Sequence, residues 1–359
     1  MTRSRRPRSP AGGGRPPRGP QGPRSPQGPR GPRSGGPSGS APPAARRSGP
    51  RPRDAEPPFR ELLRELQGRV SIDPIERLVL ETTRDNLTTR AMDLIAPLGR
   101  GQRCLVVSPP KAGKTTLLME IARAVVTNHP EVKVMVLLVD ERPEEVTGFR
   151  RGVDTEVYAA SSDLPPDEHV EIAERCLTHA LEPVVAGRDV LILLDSITRL
   201  ARAYNTVNEG VGRTMSGGID ASTMHTPRQI FGSARKIESG GSLTIVGTAL
   251  VDTGSRMDQV IFEEFKGTGN TELVLSRQLF EKRIFPAIDI SQSGTRKEEK
   301  LYPPEQVRPM QTLRRALSEM EKGMAMRKLL DLLSRYPTNA EALAAVGAAM
   351  SQKVPADDL

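Results

Sequence analysis

The chain has 359 residues, a formal net charge of +8, two cysteines and no tryptophan. That length suits one large α/β domain with appendages, and two cysteines exclude a disulfide framework or a cysteine zinc site. The charge is uneven: residues 1–53 hold 13 Arg and no Lys, Asp or Glu, so +8 less 13 leaves the other 306 residues at −5, a mildly acidic body behind a basic tail.

Residues 1–57 are Arg/Pro/Gly/Ser-rich, with Pro-Gln-Gly-Pro-Arg at 20–24 and again at 26–30. So little apolar surface cannot offset ordering entropy, so a disordered basic tail is expected. It should attract polyanions by counterion release; RNA, DNA and RNA polymerase all stay open as its partner, and a merely solubilising role is the alternative. A short helical lead-in is expected over 58–98, where Phe59, Leu62, Leu63 and Leu66 share one helix face. A turn at 94–103 then leads into the first core strand.

From 104 to about 290, apolar runs (104–107, 132–139, 189–194, 243–250 and 272–276) alternate with helical patterns. The fold class expected is α/β, a mostly parallel sheet with helices on both faces. Ligands of such sheets gather at the carboxyl ends of strands, where Lys114, Asp140, Glu141, Asp195 and Asp252 fall. The first run opens into Ser108-Pro109-Pro110-Lys111-Ala112-Gly113-Lys114-Thr115 and then a helix, the layout of a nucleotide phosphate-binding loop, although Ser108 stands where the strict pattern has Gly. Helix N-terminal N–H groups bind phosphate oxygens. Lys114 would reach the β- and γ-phosphates and the Thr115 hydroxyl would hold Mg²⁺. The run 190–194 ends in Asp195, 81 residues after Lys114, suited to ordering the same metal. Glu141, just past the neighbouring run, can polarise a water; a solvated acidic loop is the equal alternative on spacing alone. Arg213 between glycines and the loop 252–256 could contact a phosphate backbone, though ordinary turns explain both slightly better. Arg296 follows a glycine turn beyond the last strand.

Residues 305–359 read as helical. Leu313, Leu317, Met320 and Met324 are expected as core filler, and Thr338-Asn339-Ala340-Glu341 as a capping box opening the last helix. Cys104 and Cys176 are expected as buried thiols of a reducing cytoplasm. The apolar runs are too short for a bilayer, and the basic N-terminus lacks the apolar stretch of a secretory signal.

Several phrases are long and particular: Pro-Pro-Lys-Ala-Gly-Lys-Thr (109–115), Asp-Glu-Arg-Pro-Glu-Glu-Val-Thr (140–147), Leu-Leu-Asp-Ser-Ile-Thr-Arg-Leu-Ala-Arg-Ala-Tyr-Asn (193–205), Glu-Glu-Phe-Lys-Gly-Thr-Gly-Asn (263–270), Glu-Lys-Arg-Ile-Phe-Pro-Ala-Ile-Asp (281–289) and Ser-Gly-Thr-Arg-Lys-Glu-Glu (293–299). Over about residues 80–330 the chain resembles the ATPase domain of the bacterial transcription termination factor Rho family, whose phosphate loop also dispenses with the leading Gly. The resemblance implies a RecA-like P-loop NTPase over 99–300 with a helical C-terminal part over 301–359. It implies a homo-hexameric ring that hydrolyses ATP with Mg²⁺ between subunits, engages nascent RNA in its pore and promotes transcription termination in the cytoplasm. By residue, it implies that Gly99, Arg100, Gly101, Gln102, Arg103 and Cys104, with Lys111, Ala112, Gly113, Lys114, Thr115 and Thr116, line the nucleotide. Arg142 touches it and Phe285 packs near the adenine. Thr115 and Asp195 serve Mg²⁺, Glu141 activates water, Arg199 supports the site and Arg296 is a finger from a neighbouring subunit. The loops 206–218 and 252–256 become pore loops, with Arg213, Ser216, Gly254 and Arg256 on RNA; the family usually has Lys where Arg213 and Arg256 stand. One departure matters. The family carries an OB-fold RNA-binding domain before the motor, and here Phe59 is the only aromatic before residue 100. A stacking platform for pyrimidines is therefore not expected. Two other readings stay open: a relative of rotary or secretion ATPases, and an auxiliary ring subunit that modulates a full-length Rho.

Overall fold

The computed structural model describes residues 58–208 and 223–351. The expectations for the tail over 1–57, and for Arg213 and Ser216, lie outside the described residues. In chain order the elements are α1 (Pro58–Gln67), β1 (Ser71–Ile72), β2 (Arg77–Leu78), α2 (Leu87–Ile95), β3 (Leu98–Gly99), β4 (Arg103–Ser108), α3 (Lys114–Asn128), β5 (Lys133–Glu141), α4 (Pro143–Gly152), β6 (Glu156–Ser161), α5 (Pro166–Val185), β7 (Asp189–Asp195), α6 (Ile197–Val207), α7 (His225–Gly232), β8 (Arg235–Ile237), β9 (Ser242–Leu250), α8 (Arg256–Lys266), β10 (Thr271–Val274), α9 (Arg277–Glu281), β11 (Gly294–Thr295), α10 (Pro304–Ser318), α11 (Lys322–Arg335) and α12 (Asn339–Ser351).

The five apolar runs are β4, β5, β7, β9 and β10. They join in the order β11-β10-β4-β9-β7-β5-β6, and every pairing from β10 to β6 is parallel. Alternation along each strand sends successive side chains to opposite faces. Val106, Leu138, Leu193 and Val246 pack under α2, α3 and the C-terminal helices. Leu105, Leu137, Ile192 and Ile245 pack under α1, α5, α6 and α8. Buried on both faces, the strands read as near-continuous apolar runs. Phe59, Leu63 and Leu66 of α1 are buried in the second layer, which is the helix face expected from their spacing.

β6 is an edge strand that the sequence pattern does not announce. It is mostly half-buried and reads Glu-Val-Tyr-Ala-Ala-Ser, without a clean alternation. Short β1, β8 and β11 fall at the sheet's margins, where pairing supplies what periodicity cannot. At the C-terminal end the expected run of core residues is corrected in part. α10 stops at Ser318 and α11 begins at Lys322, so Met324 starts a new helix and is 55% exposed while Leu317 is buried. Half of the expected capping box is present: the Glu341 N–H donates to Thr338 Oγ1 at 3.2 Å, while Glu341 Oε1 accepts from that hydroxyl rather than from the Thr338 N–H. Cys104 and Cys176 are buried and unpaired, and burial pushes the Cys104 thiol up to about 12. Among the described residues no helix is long and apolar enough to cross a membrane.

Candidate nucleotide site

β4 ends at Ser108 and α3 starts at Lys114, so residues 109–113 form the loop between them. Gly113 is the N-cap of α3 at φ +91°, and Lys111 also has a left-handed φ of 60°. That geometry favours glycine at 113 and turns consecutive N–H groups toward one concavity. Ala112 is buried; Lys111 and Thr116 are exposed.

Lys114, Glu141 and Asp195 converge. Lys114 Nζ donates to Asp195 Oδ1 at 2.6 Å and to Glu141 Oε1 at 2.8 Å. β7 brings Asp195 to its carboxyl end. β9 lies between β4 and β7, and from it Thr248 Oγ1 donates to the same Asp195 oxygen at 2.7 Å. Glu141 arrives by a different device. Asp140 has φ +56° and the β5–β6 register shifts there. The irregularity leaves the Asp140 side chain 40% exposed while Glu141 is buried. Arg199, on the first turn of α6, completes the set with Nη1 3.4 Å from Glu141 Oε2.

Burial raises the Asp195 carboxyl above the usual range, and the Lys114 charge only partly opposes it. Burial would lower Lys114, but the Asp195 and Glu141 carboxylates outweigh it and hold the ammonium above its ordinary value. Asp195 Oδ2 is buried without a hydrogen-bond partner. A buried anionic oxygen left unsatisfied is costly, and a hard divalent cation would satisfy it. Thr115 Oγ1 donates to Glu145 Oε2 at 3.1 Å, so its hydroxyl is held beside the same cleft. These residues fit Mg²⁺ together with a phosphate chain.

Beside the loop lies a pocket of about 330 Å³, lined by Thr88, Ala112, Gly113, Thr116, Phe280 and Phe285. Phe285 is 46% exposed and meets Phe280 edge-on, with ring centroids 5.3 Å apart. A flat apolar base can lie here while its phosphates reach Lys114. Arg142 is the exposed N-cap of α4 at the cleft's margin.

One expected group is not brought to this cleft. Gly99–Cys104 lies at the amino end of β4, about 16 Å of strand from Ser108. There Gln102 Oε1 accepts the Gly99 N–H at 2.7 Å, Thr244 Oγ1 accepts the Gly101 N–H at 2.8 Å, and Arg100 pairs with Asp189 and Glu131. The segment does not share this chain's own phosphate loop, because a whole strand intervenes. Arg296 is exposed just beyond β11, the margin of the sheet.

The loop 252–256 leaves the carboxyl end of β9. Asp252 and Gly254 have left-handed φ, and Arg256 is exposed at the start of α8. Asp258 braces it, taking two bonds from Arg202 at 2.7 Å and one from Thr253 Oγ1 at 2.6 Å. Sequence reasoning missed Asp258, Thr248 and Glu145. The one available signal was Thr248, a hydroxyl inside an apolar run.

A glycine-turned phosphate loop, with strand-end carboxylates on its lysine and a parallel sheet behind, defines a RecA-like P-loop nucleotide-binding domain. The profile of the ATP synthase alpha/beta family, nucleotide-binding domain, matches residues 88–295, and the chain belongs to that family. It is 55% identical over 274 residues to transcription termination factor Rho of Micrococcus luteus, covering 76% of this chain and 40% of that protein. It is 56% identical to Rho of Buchnera aphidicola subsp. Schizaphis graminum and 54% to Rho of Haemophilus influenzae, in each case over 72% of this chain and 61% of the relative. The chain thus spans about half the length of the curated relatives it matches. Among solved structures it is similar to a prototypical ATPase from the type III secretion system of pathogenic bacteria, at TM-score 0.65 and 21% identity over 78% of this chain and 86% of that one. It is also similar to EscN of enteropathogenic E. coli, at TM-score 0.62 and 21% identity over 77% and 72%. The likeness to the two secretion ATPases is one of fold.

Proposed function

We propose that the chain is an RNA-dependent ATPase of the Rho type: a motor that assembles as a homo-hexameric ring, hydrolyses ATP between subunits and pulls nascent RNA to promote transcription termination in the cytoplasm. The observation that carries this reading is the convergence of Glu141 and Asp195 on Lys114 beside the phosphate loop, in a chain more than half identical to proteins named Rho. Lys111 and Lys114 bind the phosphate chain, the N–H groups of Gly113–Thr116 cradle it, and Phe285 supports the adenine. Arg142 contacts the nucleotide from the margin. Thr115 and Asp195 would hold Mg²⁺, which supplies charge neutralisation on the phosphates. When phosphates replace the carboxylates as partners of Lys114, Glu141 is freed to orient and deprotonate the attacking water. Arg199, 3.4 Å away, aims Glu141. Arg296 reaches the nucleotide of an adjoining subunit and stabilises charge on the transferring phosphoryl group. Gly254 and Arg256, with Arg213 and Ser216, contact RNA.

The test is ATP turnover by the purified chain, alone and with RNA. Stimulation by RNA, abolished in Glu141→Gln while ATP binding persists, supports the proposal. Turnover indifferent to RNA favours a secretion-type or rotary-type motor. Turnover that requires added full-length Rho makes the chain an auxiliary ring subunit.

A further inference from the structure

Thr248 is a hydroxyl sunk in an apolar strand. It lies in β9 between Gly247 and Ala249, is 0% exposed and stands opposite Val106 of β4. A buried hydroxyl without a hydrogen bond is destabilising. This one donates to Asp195 Oδ1 at 2.7 Å, and Leu194 O, at 3.5 Å, is the more distant acceptor. Close approach of backbone makes the reach possible. Gly247 stands opposite Leu194 of β7, and a Cβ on it would sit 2.5 Å from Ile197 Cδ1. The glycine lets the turn from β7 into α6, which carries Asp195, lie against β9.

The two oxygens of Asp195 are used differently. Oδ1 accepts from both Lys114 and Thr248, and Oδ2 is buried without a partner. A carboxylate free to rotate could offer Lys114 either oxygen. The Thr248 hydroxyl removes that freedom, because it holds Oδ1 against β9 and leaves Oδ2 as the oxygen to meet a cation. When phosphates draw Lys114 away, as in the reading above, Thr248 is the side-chain donor to Asp195 that remains among the described residues.

Thr115 is oriented by a second residue of this kind. A hydroxyl has one proton and two lone pairs, and a carboxylate can only accept. Thr115 commits its proton to Glu145 Oε2 at 3.1 Å, so the lone pairs that a hard cation needs are turned away from Glu145. Glu145 is half-buried in the first turn of α4, where its N–H donates to Arg142 O at 2.9 Å. Thr248 and Glu145 thus act from two elements outside the phosphate loop, each on one of the two groups assigned to the metal.

We propose that Thr248 and Glu145 are positioning residues for the divalent cation: Thr248 fixes which oxygen of Asp195 faces it, and Glu145 turns the Thr115 lone pairs toward it. Neither touches the cation or the phosphates. Partners one step behind the ligands typically change metal affinity by about 10- to 100-fold when removed. This rests on the assignment of Thr115 and Asp195 to Mg²⁺ proposed above.

The experiment measures, by calorimetry, the affinity of the chain for the non-hydrolysable ATP analogue AMP-PNP with Mg²⁺ and again with EDTA. The ratio of the two affinities is the metal's contribution. In Thr248→Val that ratio should fall about tenfold, with no fall in the EDTA affinity or in the urea midpoint. Thr248→Ser keeps the hydroxyl and should restore the ratio. Glu145→Ala should lower the ratio in the same way, and Glu145→Gln, whose amide oxygen still accepts the Thr115 proton, should restore it. An unchanged ratio in Thr248→Val or in Glu145→Ala overturns the role of that residue. Equal losses with and without Mg²⁺ also overturn it, because a residue that only supports the fold lowers both affinities. A Glu145→Gln variant as impaired as Glu145→Ala means that the charge of Glu145 acts directly, which overturns its positioning role. If the unmodified chain binds AMP-PNP equally in Mg²⁺ and in EDTA, the metal assignment itself fails and the proposal with it; a parental Mg²⁺ dependence that survives in both variants sinks the proposal alone.

Discussion

Lys114 Nζ sits 2.6 Å from Asp195 Oδ1, so the phosphate-loop lysine neutralises the carboxylate proposed to serve the metal. Glu141 Oε1, 2.8 Å from the same ammonium, makes the arrangement a closed triad. A triphosphate must win the lysine from both carboxylates. The released acids then face a phosphate chain, a metal and a water, which are the groups their proposed roles require. The triad thus holds the charges proposed for catalysis in a paired state.

Asp195→Asn should separate stability from activity. Burial raises the Asp195 pKa, so the folded chain holds that proton more tightly than the unfolded chain does. The sign follows from linkage: stability is full below the unfolded value near 4 and is lost as pH rises through the folded value. Asparagine removes that loss, and Lys114 keeps Glu141 as partner. Urea unfolding should show the variant equal to the parent at acid pH and at least as stable at pH 7. Its ATP turnover should fall about 10²-fold or more, as when one electrostatic stabiliser is removed from an active site. A variant less stable at pH 7 by more than about 1 kcal/mol would contradict this balance.

Phe285→Ala should weaken adenine recognition without disturbing the phosphate end. Base–aromatic stacking is worth about 1–3 kcal/mol, so affinity for ADP should drop about tenfold. Affinity for inorganic tripolyphosphate should not move. The ring is nearly half exposed, so the thermal midpoint should change little. Equal losses for both ligands would place Phe285 in the fold rather than against the base.

How far the sequence reveals this site depends on whether the determinant is local. The phosphate loop was legible because strand, glycine turn and helix are consecutive, and Asp195 because an apolar run ends on it. Glu141 was legible as a residue but not as a geometry; its inward aim comes from the irregularity at Asp140. Thr248 acts from a separate strand, so no spacing ties it to Lys114; only its hydroxyl inside an apolar run marks it. Gly99–Cys104 was named from the resemblance alone, and an extended strand separates it from this chain's own phosphate loop. Met324 misled, since its helical spacing from Leu317 runs through a break between two helices.

Arg90 should prove a structural arginine. It is fully buried on α2, and its guanidinium donates to Leu333 O at 2.8 Å, Arg84 O at 3.1 Å and Asn339 Oδ1 at 3.2 Å, with Glu81 3.0 Å away. It thereby ties α2 to the junction of α11 and α12. Arg90→Met keeps most of the volume but takes the guanidinium donors away from two backbone carbonyls, the Asn339 amide oxygen and the Glu81 carboxylate. The expected cost is about 3 kcal/mol, in the range for breaking a buried pair, read as a lower urea midpoint with an unchanged slope. Nucleotide affinity should be preserved at temperatures where the variant remains folded. A loss below about 0.5 kcal/mol would mean that the network contributes little to stability.

Arg256 tests the pore-loop reading. It stands exposed at the first position of α8, behind a loop braced by Asp258, so removing its side chain leaves the Arg202 and Thr253 bonds to Asp258 in place. Arg256→Ala should therefore leave folding and ATP affinity unchanged while weakening single-stranded RNA binding. Phosphate contacts release counterions, so the slope of log affinity against log salt should become shallower by about 0.7 for each lost contact per subunit. The weakening should be the same for pyrimidine-rich and purine-rich strands, because a backbone contact carries no base information. An unchanged salt slope would remove Arg256 from the RNA path, and a loss confined to one sequence would mean that it reads bases instead.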